Sequence, residues 1–346
     1  MSAADPSRDG AAERPRTGAT APSAAKRVVV AREIPAPAIE LLRSVAAVEA
    51  LPQDRPATAQ ELGAAVKGAE VLVTLLHDRV DEALLDAAGP QLRAVANVAV
   101  GYDNVDVAAC AARGVRVTNT PGVLTDATAD LALALLLAAT RRIGEGERLI
   151  RGGVPWSWRM DFLLGAGLQG RTLGIVGLGD IGRATARRAR AFGMKIAYAG
   201  RRDAPPEVVA ELGGALRLPL EQLIATADVV SLHCPLTPET RHLLDAERLA
   251  TMRPGSYLIN TARGPIVDEA ALAAALRDGP LAGAGLDVFE HEPQVHPDLL
   301  ALPNVVLLPH LGSATVETRT AMALLAARNA VAVLTGNDPL TPVAGG

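Results

Sequence analysis

Leu173-Gly-Ile-Val-Gly177-Leu-Gly179-Asp180-Ile181-Gly182 governs how the rest of this chain is read. The apolar run 173–176 suits a fully buried strand. It breaks into Gly177-x-Gly179-x-x-Gly182 and then into an Ala/Arg-rich helical pattern over 183–192. Each glycine has a task if a dinucleotide binds here: Gly177 for the tight turn, Gly179 for close approach of the pyrophosphate, Gly182 for packing of helix on strand. The free N–H groups at the helix start, where Asp180 and Ile181 lie, would face the pyrophosphate at the positive end of the helix dipole. A glycine-rich turn without ligand is the bland alternative. Strand, glycines and helix come in the right order, however, and a second strand follows at 195–199, which favours a mononucleotide-binding βαβ unit.

Outward from this unit, 346 residues suit two domains. With 49% hydrophobic and 21% charged residues, a sizeable core can be buried. A net charge of −4 argues against nucleic acid as a partner, and no block of like charge points to a membrane surface. The longest apolar run, 131–139, is too short to span a bilayer. Cys110 and Cys234 lie far apart, so neither a disulfide framework nor a zinc or other metal site is expected. No signal peptide is visible, and a cytoplasmic location is expected.

Residues 1–25 hold no aliphatic side chain larger than Ala after Met1 and are expected to be a disordered tail. A transit peptide is the alternative, which Asp5, Asp9 and Glu13 disfavour. Apolar runs at 28–31, 47–51, 70–75, 92–98 and 115–118 predict strands, and 57–67, 81–88 and 104–113 predict helices between them. That alternation describes a parallel α/β layer without a phosphate loop, assigned to substrate. Residues 125–150 predict one long helix, capped by Thr125 or Asp126 and ended by Gly152-Gly153. Its apolar face suits burial between domains or subunits, or a place in a core. Trp156 and Trp158 follow in a loop that either anchors to a core or covers a ligand. Strands recur at 195–199, 228–233, 256–260, 283–288 and 304–308, and the terminal helix 313–334 could return to the first layer. The expected fold class is therefore α/β, with two doubly wound parallel-sheet domains.

Ligands of open α/β sheets bind beyond the carboxyl ends of the strands. Arg263, Glu292 and His310 each follow a predicted strand there. A histidine beside a carboxylate, with an arginine nearby, suits reduction of a 2-keto acid: histidine gives the proton, glutamate raises its proton affinity, and arginine holds carbonyl or carboxylate oxygens. Taken singly, each could be a loop arginine, a turn cap or a core histidine. His77, His242, His291 and His296 read as ordinary surface residues.

Several stretches together carry a family resemblance: Val-Ala-Val-Gly-Tyr-Asp-Asn-Val-Asp (98–106), Thr-Pro-Gly-Val-Leu-Thr-Asp (120–126), the glycine turn, His-Cys-Pro-Leu-Thr (233–237), Asn-Thr-Ala-Arg-Gly (260–264), Gly-Leu-Asp-Val-Phe-Glu-His-Glu-Pro (285–293) and Pro-His-Leu-Gly-Ser-Ala-Thr (309–315). The chain resembles the D-isomer-specific 2-hydroxyacid dehydrogenases over nearly all of its length after the tail, and glyoxylate/hydroxypyruvate reductases most of all. The resemblance implies a Rossmann cofactor domain at 121–312 and a flavodoxin-like substrate domain at 26–120 and 313–346. It implies the catalytic trio Arg263, Glu292 and His310, with Glu292 chosen over Glu290 because it precedes the proline. It implies that Val100 and Gly101 bind the substrate carboxylate and that Leu75 faces the substrate's tail. Ser313 would lie beside substrate, and Trp158 would cover the substrate of a neighbouring subunit in a homodimer. Thr125, His233, Pro235, Thr261, Asp287 and Gly312 match cofactor positions, with Asp287 on the nicotinamide amide. Asp180 departs from the arginine often found in similar NADP-linked reductases.

Cofactor choice rests on the end of the second strand, where a NAD-binding unit carries an acid for the ribose hydroxyls. Gly200 stands there, followed by Arg201 and Arg202, which can grip a 2′-phosphate. NADPH is therefore expected over NADH, although Asp203 could partly neutralise the arginines. The expected reaction is reduction of glyoxylate or hydroxypyruvate. A reductase of longer acids such as 2-ketogluconate is the alternative within the family, and a nucleotide-sensing corepressor-like binding protein the alternative outside enzymes.

Overall fold

The computed structural model describes residues 26–51 and 55–344, so the stretch 1–25 lies outside the described residues. Five strands, β1 (Arg27–Val30), β2 (Ala47–Ala50), β3 (Val71–Thr74), β4 (Ala94–Asn97) and β5 (Arg116–Thr118), form one sheet in the order β2-β1-β3-β4-β5. Seven more, β6 (Thr172–Val176), β7 (Lys195–Ala199), β8 (Leu216–Arg217), β9 (Val229–Leu232), β10 (Ser256–Asn260), β11 (Leu281–Leu286) and β12 (Val305–Leu307), form a second in the order β12-β11-β10-β9-β6-β7-β8. All strand pairs are parallel.

Strand side chains alternate between two faces, and both faces are covered, which is why these strands read as unbroken apolar runs. In β1, Val28 and Val30 pack into a core with Ala38, Ile39 and Leu42, whereas Val29 packs on the opposite face with Leu62, Leu84 and Leu85. The second sheet is covered likewise: Val230, Leu232 and Leu258 meet Leu223, Ile224 and Leu272 on one face, while Ile175, Val229 and Ile259 meet Leu133, Leu136 and Ala186 on the other. Both layers are thus doubly wound. The terminal helix Val316–Leu334 lies on β3, β4 and the helix Ala36–Arg43, so the first layer is completed from the far end of the chain. Its alanines 323, 326, 327 and 330 let it approach closely.

Three local expectations are corrected. The helix expected over 125–150 is two, Thr125–Thr140 and Ile143–Arg151. The Thr140 carbonyl, which a continuing helix would use four residues on, accepts instead from the Ala166 N–H at 2.8 Å, and Arg142 turns left-handed at φ 54°. Neither Thr125 nor Asp126 caps the first of them. Leu124 holds the cap position without a side-chain bond, and Asp126 pairs with Arg188 at 2.9 Å. This helix packs on β10, β11 and the helix Asp180–Ala191, a core position within the second layer. Finally, β8 was not expected, since two residues carry no readable period.

The glycine turn sits where the strand order of the second sheet reverses, between β6 and β9. Gly177 has φ 94°, in the region that favours glycine. A Cβ on Gly182 would lie 2.3 Å from the Gly177 carbonyl oxygen, so helix and turn close only around a bare backbone. Gly182→Ala should therefore destabilise the fold by about 1–3 kcal/mol. Urea unfolding measures this, and an unchanged midpoint would show that the contact is not close.

Candidate active site

Beyond the glycine turn opens a cleft of about 1120 Å³, lined among others by Gly177, Gly179, Gly200, Arg201, His233 and Pro235. Gly179 precedes the helix Asp180–Ala191 without any side-chain cap, which leaves the first N–H groups facing the cleft. Asp180 is exposed, and Ile181 is half-buried beside it. Arg201 and Arg202 are exposed on the rim. Asp203 does not neutralise them: it pairs with Arg217 at 3.0 Å, and Arg217 also donates to the Gly200 carbonyl at 2.9 Å. Arg217 is thus a third arginine on this rim, which the sequence reading missed because it lies on the unexpected β8. His233 contacts Ser231 Oγ through Nε2 at 2.9 Å, and burial pushes its imidazole down to about 4, so it is neutral at ordinary pH. Thr261 is buried, and its hydroxyl has no hydrogen-bond partner among the described residues. The bare glycine turn and the uncapped helix start fit a dinucleotide. Thr125 opens the helix that packs on Asp180–Ala191.

Arg263 follows β10 in a loop shaped by Asn260, whose side chain donates to the Arg263 carbonyl at 2.9 Å and accepts from the Ala262 N–H at 3.0 Å. The guanidinium reaches across to the first layer. Its Nε donates to Asp103 at 2.9 Å, and a Cβ on Gly101 would lie 1.9 Å from its Nη2. The bare backbone of Gly101 lets the guanidinium lie against it in this position. Asn97 donates to the Gly101 carbonyl at 3.0 Å and Asn119 to that of Val100 at 2.8 Å, fixing this backbone. A guanidinium beside a held loop can take a carboxylate.

His310 follows β12 with φ 54°, a strained value for a histidine. Asp287 holds it there. The Asp287 carbonyl accepts the His310 N–H at 2.9 Å, and its carboxylate accepts the N–H groups of Leu311 at 2.6 Å and Gly312 at 2.8 Å. Burial raises the Asp287 carboxyl above its ordinary value against the lowering by these bonds. Thr128, from the core helix, donates to the Gly312 carbonyl at 3.1 Å, and Ser313 stands half-buried next to it.

So placed, His310 Nδ1 lies 2.9 Å from Glu292 Oε2, while Glu292 Oε1 accepts the Phe289 N–H at 3.0 Å. Burial disfavours the charged Glu292 carboxylate, but the His310 hydrogen bond and charge, the Phe289 N–H and His77 together outweigh it and hold the group below its ordinary 4.5. Glu290 faces elsewhere, bonded to His242 at 2.9 Å and to the Glu269 N–H at 2.9 Å.

Of the four histidines read as surface residues, His77 is exposed as expected, and three of the four also make specific contacts. His242 holds Glu290, and His296 caps a helix by accepting from the Asp298 N–H at 3.3 Å. His77, from the loop after β3, brings Nε2 to 3.6 Å from Glu292 Oε2 and its ring edge-on to that of His310. Burial and the charge of His310 lower the His77 imidazole further than Glu292 raises it. Its loop is tied by Asp78, which accepts the Leu75 N–H at 2.7 Å, and by Asn104, which donates to the Leu75 carbonyl at 3.1 Å. A cavity of about 300 Å³ opens at His77, Glu292 and His310, with Phe289, Val295 and Leu307 among its apolar walls. Trp158 is 76% exposed and lines neither cavity, while Trp156 stacks on Phe162.

Comparison with known proteins shows the chain's family. Residues 133–312 match the family described as D-isomer specific 2-hydroxyacid dehydrogenase, NAD binding domain. The chain is 47% identical over 322 residues to a glyoxylate reductase of Thermococcus onnurineus, covering 92% of this chain and 95% of that protein. It superposes on the TT0316 protein of Thermus thermophilus with a TM-score of 0.85 and 48% identity, covering 92% of this chain and 99% of that one. An NADPH-dependent glyoxylate/hydroxypyruvate reductase of Sinorhizobium meliloti in complex with NADP and malonate is similar with a TM-score of 0.78 and 38% identity, covering 92% and 97%.

A carboxyl held below its ordinary value stabilises the fold above that value, and the contribution is lost as pH falls through the lowered one. Glu292 therefore favours the native state above pH 4.5 and ceases to do so on acidification. Glu292→Gln should lower the melting temperature at neutral pH and leave little difference from the parent in strong acid. A melting-temperature gap that stays constant across the acid range would contradict this.

Proposed function

Because this chain belongs to the D-isomer specific 2-hydroxyacid dehydrogenases, which are NAD(P)-dependent oxidoreductases, we propose that it reduces glyoxylate and hydroxypyruvate to glycolate and D-glycerate with NADPH. The observation that carries the reading is the His310–Glu292 contact of 2.9 Å, together with an arginine laid against the backbone of Gly101. The nicotinamide cofactor, when bound, supplies the hydride to the keto carbon. Arg263 and the backbone at Val100 and Gly101 hold the carboxylate and carbonyl oxygens. His310 gives its proton to the keto oxygen, and the Glu292 carboxylate offsets the charge that His310 carries beforehand. Asp287 retains lone pairs for the nicotinamide amide, and the free Thr261 hydroxyl is available to the cofactor. Thr125, His233, Pro235 and Gly312 line its course, and Ser313 stands beside the substrate. Leu75, half-buried, faces the substrate's short tail.

The working form is a homodimer in this reading. Trp158, Met160 and Leu164 are 76%, 79% and 65% exposed in the single chain, an apolar strip suited to burial against a second copy, whose substrate Trp158 would cover.

His310→Ala should lower kcat for glyoxylate by about 10²–10⁴-fold with little effect on NADPH binding. Near-normal turnover would remove His310 from the proton's path.

NADPH should be preferred because no acid stands at Gly200 and Arg201 and Arg202 remain available to a 2′-phosphate. A charge-assisted hydrogen bond contributes roughly 1.5–3 kcal/mol, about ten- to a hundredfold in affinity. Arg201→Ala/Arg202→Ala should bring kcat/KM for NADPH down toward that for NADH. Equal values in the parent enzyme, or unchanged selectivity in the double variant, would defeat the assignment.

A further inference from the structure

His77, Glu292 and His310 each offer one donor atom, and these atoms lie within 4.8 Å of one another. We propose that they form an inhibitory site for a divalent cation of the Zn2+ class, closed across the cleft between the two layers. Two imidazoles and one carboxylate make a ligand set that zinc takes in tetrahedral sites with one position left open. Magnesium and calcium favour all-oxygen sets and are not expected here.

The distances suit zinc. Bonds of about 2.0–2.1 Å set tetrahedral donors roughly 3.3 Å apart. Here Glu292 Oε2 stands 3.6 Å from His77 Nε2 and 2.9 Å from His310 Nδ1, so small side-chain rotations suffice. His77 can make one, since its side chain is 38% exposed. Neighbouring charges cancel in pairs, Arg32 with Asp78 at 3.7 Å and Arg263 with Asp103 at 2.9 Å, and the cation would displace the proton shared by His310 and Glu292, freeing the carboxylate charge to face it.

A cation held there would occupy both members of the His310–Glu292 pair and tie the His77 loop of the first layer to the second. Its effect on turnover rests on the roles proposed above for that pair, but its binding does not. The first measurement is therefore calorimetric titration of the full chain with Zn2+. The expected result is one saturable site per chain in the micromolar range, absent with Mg2+, and weakened at least about tenfold in His77→Asn and again in Glu292→Gln. Cys234→Ser, in the cofactor cleft, should bind as the parent does. Glyoxylate reduction by the parent should fall as the site fills and return on chelation. No saturable binding, equal affinity in His77→Asn, or loss of binding in Cys234→Ser would overturn the site. Binding that His77→Asn abolishes, without inhibition of the parent, would keep the site and refute instead the proton path through Glu292 and His310.

Discussion

The Asp287 carboxylate, buried and bonded to two consecutive N–H groups, is the constraint on which the reactive geometry depends. A histidine at φ 54° does not stay there unaided. Three bonds from one residue, two to the side chain and one to the carbonyl, fix the backbone on which His310 stands. Thr128 adds a fourth from the core helix, so the packing of the second layer reaches the imidazole through a short chain of contacts. Burial of Asp287 is costly, and the paired N–H groups offset it only in part.

The proposed site draws on both layers. The second provides the glycine turn, the arginine rim, Arg263 and the His310–Glu292 pair, whereas the first provides the backbone of Val100 and Gly101. Contact between them is polar and specific: Arg263 with Asp103, and His77 with Glu292. The stretch 133–312 that matches the family's NAD binding domain lies within the second layer.

Much of this was legible because parallel strands covered on both faces must be apolar throughout. The runs at 28–31 and 173–176 could be read as buried strands before any partner was known. What escaped depends on contacts distant in sequence. The helix breaks at Arg142 because the Ala166 N–H arrives from a later loop to take the Thr140 carbonyl. His77 looked ordinary because Glu292 and His310 meet it only in the folded chain. Arg217 was hidden with β8, a strand too short to show a period. Glu292 was separable from Glu290 by resemblance to a family, not by any local pattern. The structure supplies the physical difference, since Glu290 is already engaged by His242 and the Glu269 N–H.

The terminal helix that completes the first layer has a mechanical consequence. Among the described residues the chain crosses between layers twice, once between β5 and the helix Thr125–Thr140 and once between His310 and the helix Val316–Leu334. Two covalent crossings define a line, and rotation about that line is the rigid-body motion that strains neither. The second crossing carries Gly312 and Ser313, directly beyond the imidazole. A hinge on that line would run beside the His310 imidazole, where the angular swing of one layer produces the least displacement. Opening the cleft to admit a cofactor would separate His77 and Asp103 from their partners while leaving the His310–Glu292 pair, both carried by the second layer, intact.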